Sequence, residues 1–164
     1  MKQEDKALDG LEQLGFGDNF VKELASMLEK AALFSKFERA ELNLLAHYCS
    51  AYRVEASHDL FKEAEKGQFM AVLLKGRIDI LKAGKLITTI RPGRALGEMS
   101  LIDGYPYSAT ARVIDESEIA MFTRSQFEQL CDEHPKLGLK VMRTLAGLIS
   151  LRLRQTTGVL LDYL

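Results

Sequence analysis

The residues best suited to chemistry lie in one stretch, Gly93 to Ala111. Gly97 followed by Glu98-Met99-Ser100-Leu101-Ile102-Asp103 reads as a tight bend into a turn or so of helix. A helix start leaves backbone N–H groups unpaired and carries partial positive charge, so it suits an anion, and a glycine there lets a ligand approach the backbone. Glu98 adds a carboxylate at the same point, where an acidic side chain near a helix start is favourable without any ligand. Other chemistries find little support. His47, His58 and His134 are scattered, Cys49 and Cys131 are far apart, and neither set has metal-ligand spacing. The common hydrolase and nucleotide-hydrolase glycine signatures are missing, and no nucleophile–base pair emerges, so no enzyme activity is expected.

That stretch must be positioned by the elements around it. The chain has 164 residues, of which 47% are hydrophobic and 27% charged, enough for one compact domain with a real core. Its 22 basic and 23 acidic residues give a net charge of −1, which argues against a whole-surface nucleic-acid binder. No apolar run approaches the roughly 20 residues needed to cross a bilayer, and the charged start Met1-Lys2-Gln3-Glu4-Asp5-Lys6 is no secretory leader. Two distant thiols fit a reducing compartment, and a cytoplasmic location is expected.

The first third reads as helix. Leu8, Leu11 and Leu14 suggest a short one. A second follows Asp18 as N-cap, with Phe20, Val21, Leu24, Met27, Leu28 and Ala31 on one face, and a third spans Arg39 to Cys49. From Ala51 to Phe122 the period changes to short strands: Met70–Leu74, Arg77–Leu81, Leu86–Ile90, Ser108–Ile114 and Glu118–Phe122, separated by turn residues. Helix returns with a capping box at Thr123-Arg124-Ser125-Gln126, then Pro135 opens a long helix that Gly158 ends or kinks. The apolar excess on that helix hints at a helix–helix dimer contact. Arg143, Arg152 and Arg154 read as its solvated face, and His47 as a structural residue.

Gly97-Glu98-Met99-Ser100-Leu101 with Ser108-Ala109-Thr110 resembles the phosphate-binding cassette of cyclic-nucleotide-binding domains, of the kind found in catabolite-activator and Fnr-type regulators. Leu33-Phe34, the step Leu73-Leu74-Lys75-Gly76-Arg77-Ile78 and the helix from Pro135 to Gln155 extend the resemblance over roughly residues 30 to 156. It implies a mainly β fold with flanking α: an antiparallel β-roll or jelly-roll barrel with N-terminal helices and a long C-terminal helix. The implied division is a helical extension at 1–30, a β-roll at 31–132 with its cassette at 97–110, and a lid or dimerisation helix with a tail at 133–164. The implied ligand is cAMP, cGMP or a related phosphate compound, with no separate cofactor and no metal. Glu98 would accept a ribose hydroxyl. Gly97, Met99, Ser100, Ser108, Ala109 and Thr110 would surround the cyclic phosphate. The long helix would form a homodimer and would move when ligand binds. With no room after Leu164 for a helix-turn-helix, direct DNA binding is not expected, nor is a membrane partner.

One position departs from the family. Its arginine, which pairs with the cyclic phosphate, falls on Tyr107. A phenol offers one neutral donor where a guanidinium offers a charged fork. Removing one partner of such a buried pair costs about 3–5 kcal/mol, which moves a micromolar site toward roughly millimolar. Tyr107 either closes a pocket no longer used or stacks on a different ligand. Arg91, Arg94 and Arg112 are the candidates for a substitute cation. Two readings therefore stand: a weakly binding sensor, and a degenerate-pocket domain that acts through protein partners or dimerisation.

Overall fold

The computed structural model describes residues 10–161. Seven strands form one antiparallel sheet: β1 (Leu11–Gln13), β2 (Ser50–Val54), β3 (Asp59–Phe61), β4 (Phe69–Lys82), β5 (Lys85–Ile90), β6 (Ala95–Leu96) and β7 (Thr110–Thr123). The path runs β1-β2-β7-β4-β5, with β3 added to β7 and β6 to β4. The sheet curls into the jelly-roll form of the expected fold without closing into a barrel.

β4 and β7 are its spine, paired from Phe69 opposite Thr123 to Leu81 opposite Thr110. Each is long enough to serve two partners. β7 holds β2 through Ser117–Met121 and β3 through Ala111 and Arg112. β4 holds β6 through Ala71 and Val72 and β5 further along. The sequence reads each of these strands as two pieces, and the structure joins them. Lys75-Gly76 is a bulge, where the register slips between Leu73 and Ile78, rather than a turn. Gly76 sits at φ 94° with Ser117 so close that an added Cβ would lie 2.2 Å from its hydroxyl. Only glycine lets the strand continue there.

The apolar run Phe69–Leu73 is buried on both faces. Phe69, Ala71 and Leu73 pack inside the roll with Phe61, Leu96, Tyr107, Ile119 and Met121. Met70 and Val72 pack outward with Ala120 and Phe122 against the helices. The helices are α1 (Gly17–Glu29), α2 (Arg39–Ala46), α3 (Glu98–Asp103), α4 (Arg124–Glu133) and α5 (Pro135–Leu161), with a single 3₁₀ turn at Ala32–Phe34. Leu24, Leu28, Leu42, Leu45, Leu130 and Leu145 make the second core.

Several expectations need correction. The segment at Leu11 is a strand, since Leu11 pairs with Val54 along the open edge of β2, and sheet pairing overrides its helical spacing; Leu8 lies outside the described residues. The N-cap of α1 is Phe16, and Asp18 lies in the first turn. α2 ends at Ala46, three residues before Cys49. α5 runs through Gly158 unbroken to Leu161. The capping box at Thr123 and Gln126 is present, with the Thr123 hydroxyl accepting from the Gln126 amide and the Gln126 side chain reaching back. No helix among the described residues is long and apolar enough to cross a membrane.

Candidate functional site

A cavity of about 680 Å³ opens where the roll meets α5. Its walls are Phe61 and Ile80 of the roll, Ile87–Arg91 and Arg94 around the end of β5, Ala95 to Ser100 across the β6–α3 bend, Tyr107 to Ala109, and Arg152, Gln155, Thr156 and Val159 of α5. The volume suits a small organic ligand.

The bend forms because Gly97 adopts φ 76°. A Cβ there would lie 3.0 Å from the Phe69 carbonyl and 3.2 Å from the Tyr107 ring, so any other side chain would be both strained and crowded. The bend delivers Glu98 into the protein, 2% exposed. The far end of α3 is fixed by Arg124, whose guanidinium donates to the Ser100 carbonyl.

Glu98 is a carboxylate divided between two fates. Its Oε1 accepts from Nη1 of Arg152, which reaches in from α5. Its Oε2 is buried without a hydrogen-bond partner. A buried, unpaired carboxylate oxygen is costly, and a ligand hydroxyl would satisfy it. The second Nη of Arg152 donates to the Ala95 carbonyl at 2.7 Å. Arg152 therefore ties α5 to the cassette at two points. This corrects the reading of Arg152 as part of a solvated face; Arg143 and Arg154 are exposed as expected. Apart from Arg152, every residue from Ser150 to Val159 is exposed, so this guanidinium is the main tether of the outer half of α5.

Tyr107 faces the other way. It is 4% exposed and stacks on Phe61 with ring centroids 3.9 Å apart and planes 10° from parallel. Its hydroxyl donates to the Phe69 carbonyl at 2.9 Å and accepts from the Phe69 and Gln68 amides at 3.1 and 3.2 Å. Burial raises its pKa, and these backbone bonds offset only part of that. The ring forms part of the cavity wall, while the hydroxyl is spent on the end of β4. Tyr107 is a core residue with one face on the cavity.

The candidate cations separate. Arg112 lies opposite Asp59 and pairs with it at 2.7 Å, away from the cavity. Arg91 and Arg94 both line the cavity mouth, and among the described residues neither guanidinium has a hydrogen-bond or ion-pair partner. Of the sequence-derived site residues, Gly97, Glu98, Met99, Ser100, Tyr107, Ser108 and Ala109 line the cavity. Thr110 does not; its hydroxyl accepts from the Glu63 amide at 2.9 Å. Sequence reasoning missed Arg152, Gln155, Thr156 and Val159. Their only signal was an i, i+3, i+4, i+7 spacing, which marks one face of a helix without saying what it faces. His47 bonds the Asn43 carbonyl one turn back. Among the described residues no cluster of His, Cys, Asp or Glu could hold a metal.

The comparisons with known proteins agree with this fold. The family model described as "Cyclic nucleotide-binding domain" matches residues 52–134. The CRP-like cAMP-activated global transcriptional regulator of Mycobacterium tuberculosis is 24% identical over 141 residues, covering 83% of this chain and 61% of that protein. This chain therefore spans somewhat under two thirds of that relative. A cyclic nucleotide-binding domain of Methylobacillus flagellatus superposes with a TM-score of 0.80 at 28% identity, covering 95% of this chain and 90% of that one. The catabolite activator protein of Thermus thermophilus follows at 0.70 and 26%, covering 80% and 62%.

Proposed function

This chain belongs to the cyclic nucleotide-binding domain family, and on that premise we propose that it is a regulatory sensor domain that binds a cyclic nucleotide or a related phosphate ligand weakly. The observation that carries the reading is Glu98: a buried carboxylate on an open cavity, with one oxygen lacking any partner. A carboxylate that only closed a helix end would have no reason to keep one oxygen buried and unsatisfied. The weakness follows from Tyr107, whose neutral ring stands where the family's phosphate-binding arginine would be and whose hydroxyl is already committed. Loss of that charge is worth about 3–5 kcal/mol, which places cAMP and cGMP near millimolar.

Signal transmission follows from the same contact. A ligand hydroxyl on Oε2 would draw on the same carboxylate that Arg152 holds through Oε1, and Arg152 is the tether of the outer half of α5. Binding at Glu98 thereby shifts how that half of the helix is held. Titration calorimetry of the full chain with cAMP and cGMP tests the reading. It predicts a millimolar isotherm for the wild type that is lost in Glu98→Gln. No heat and no thermal stabilisation at millimolar nucleotide would remove it.

A second reading has its own observation. Leu139, Leu151, Leu153 and Val159 of α5 and Leu86 and Ile87 of β5 are exposed apolar residues. They support a homodimer through α5, acting as an interaction module whether or not ligand binds. Sedimentation equilibrium decides it: a monomer at tens of micromolar would exclude this reading.

A further inference from the structure

We propose that the cavity prefers a phosphate ester carrying two negative charges, a phosphomonoester, over a cyclic phosphodiester carrying one. The inference rests on the reading that Glu98 marks a ligand site, and it names the ligand class of that site.

Charge points to it first. The charged side chains on the cavity wall are Arg91, Arg94, Arg152 and Glu98. Three guanidiniums against one carboxylate make a lining of net +2 in a chain of net −1. The Glu98–Arg152 pair is neutral as a unit. What remains is two guanidiniums, Arg91 and Arg94, with no partner among the described residues. Two free cations on one wall match a dianion, and arginine forks suit the terminal oxygens of a phosphate.

Position points to it second. The inner wall, where Tyr107 packs on Phe61, offers no cation, and the Tyr107 hydroxyl is already bonded to the backbone. The free positive charge sits at the mouth, on the two sides of the Pro92-Gly93 turn, where the Arg94 amide donates to the Arg91 carbonyl. A cyclic phosphate is fused to its sugar by two ester bonds, so its charge must stay beside the hydroxyl that Glu98 takes. A phosphomonoester hangs from one ester bond and can turn outward to the mouth while the sugar hydroxyl keeps Glu98. Its second ionisation, near pH 6, gives it about −1.5 to −2 charges at neutral pH.

The test is calorimetry on the full chain at pH 7.5 with three probes: cAMP, 5′-AMP and ribose 5-phosphate. The expected result is at least tenfold tighter binding of 5′-AMP than of cAMP. The double variant Arg91→Ala/Arg94→Ala should erase that advantage, weakening 5′-AMP about tenfold more than it weakens cAMP. Both side chains are exposed and unpartnered, so thermal unfolding should not move, which separates lost binding from lost fold. Lowering the pH to 5.5 should weaken 5′-AMP severalfold by protonating the phosphate. Ribose 5-phosphate binding as tightly as 5′-AMP would support the proposal and assign recognition to the sugar phosphate rather than the base. Cyclic AMP binding as tightly as 5′-AMP, or a double variant that binds 5′-AMP like the wild type, would overturn it. If cAMP binding were tighter and lost in Glu98→Gln, the sensor reading would stand and this proposal alone would fall. If none of the three bound, both would fall together.

Discussion

The two ends of the cassette have gone different ways. At Gly97-Glu98 the backbone bends through a left-handed glycine and delivers a carboxylate into a cavity, where half of its bonding capacity is left over. At Tyr107 the side chain is folded into the roll and every bond of its hydroxyl is made to the end of β4. On the proposed reading one end is kept for a ligand, while the other is spent on the protein itself. A ligand site is thus marked by unsatisfied polar capacity that the fold nevertheless keeps in place, and a core residue by capacity used up internally. Both share a wall of the same cavity, so the contrast is not one of exposure.

The contrast can be broken by mutation, and the largest effect should come from the spent end. Tyr107→Ala removes the ring stacked on Phe61 and orphans two amides and a carbonyl. The expected loss is about 3–5 kcal/mol, read by urea unfolding. A loss below about 1 kcal/mol would mean that the stacked, bonded arrangement is not the one adopted. Tyr107→Arg sharpens the same point. It should lower stability, since the amides of Gln68 and Phe69 lose their acceptor, yet tighten cAMP binding by about a hundredfold or more if the guanidinium turns into the cavity. Unchanged cAMP binding would show that the missing charge is not what makes the site weak.

At the ready end, Glu98→Gln should cost on the order of 1 kcal/mol, because Arg152 is partly exposed and water can replace the lost partner. Its clearer signature is local. Amides of residues 152–159 should exchange with solvent several-fold faster, and Arg152→Ala should do the same without adding to it in the double variant. Additive effects would mean that Glu98 and Arg152 do not act as one tether.

The smallest effects are those of pH. Lys140 lowers the Glu41 pKa through a contact of 2.5 Å between α2 and α5, and Arg112 lowers that of Asp59 between β3 and β7. Carboxylates lowered by folding stabilise the native state above their unfolded values and lose that contribution as pH falls through the lowered values, so stability should decline below about pH 4. Tyr107 acts at the other end. Burial raises its pKa, so its contribution is full below the unfolded value of about 10 and is lost as pH rises through the raised one. Thermal unfolding from pH 9 to 11.5 should show the wild type losing more stability than Tyr107→Phe, and parallel curves would contradict that assignment.

What could be read in the sequence follows the same physical divide. Gly97-Glu98, the capping box at Thr123 and the helix opened by Pro135 are local signals, and each appears where its residue types place it. Leu11 misled because its three-residue spacing was local while its partner, Val54, is 43 residues away. Lys75-Gly76 reads as a turn until β7 is known to run beside both halves of β4 and to hold them together through a bulge. Arg152 was the most consequential omission. One of three arginines on a long helix looks like solvated charge, and only the packing of α5 over the cavity brings it to a carboxylate 54 residues away. Tyr107 was recognisable as a departure from the family, but its partners, the backbone of Gln68 and Phe69, could not be named from spacing.

The claim beneath all of this is that the Glu98 end of the cavity receives a ligand although the Tyr107 end has been given over to the core. Chemical-shift mapping of the ¹⁵N-labelled full chain with millimolar cAMP tests it most directly. The predicted result is saturable shifts concentrated at Gly97–Ser100, Ser108–Ala109 and Arg152–Thr156, absent in Glu98→Gln. No shifts at saturating nucleotide, or the same shifts in Glu98→Gln, would contradict it.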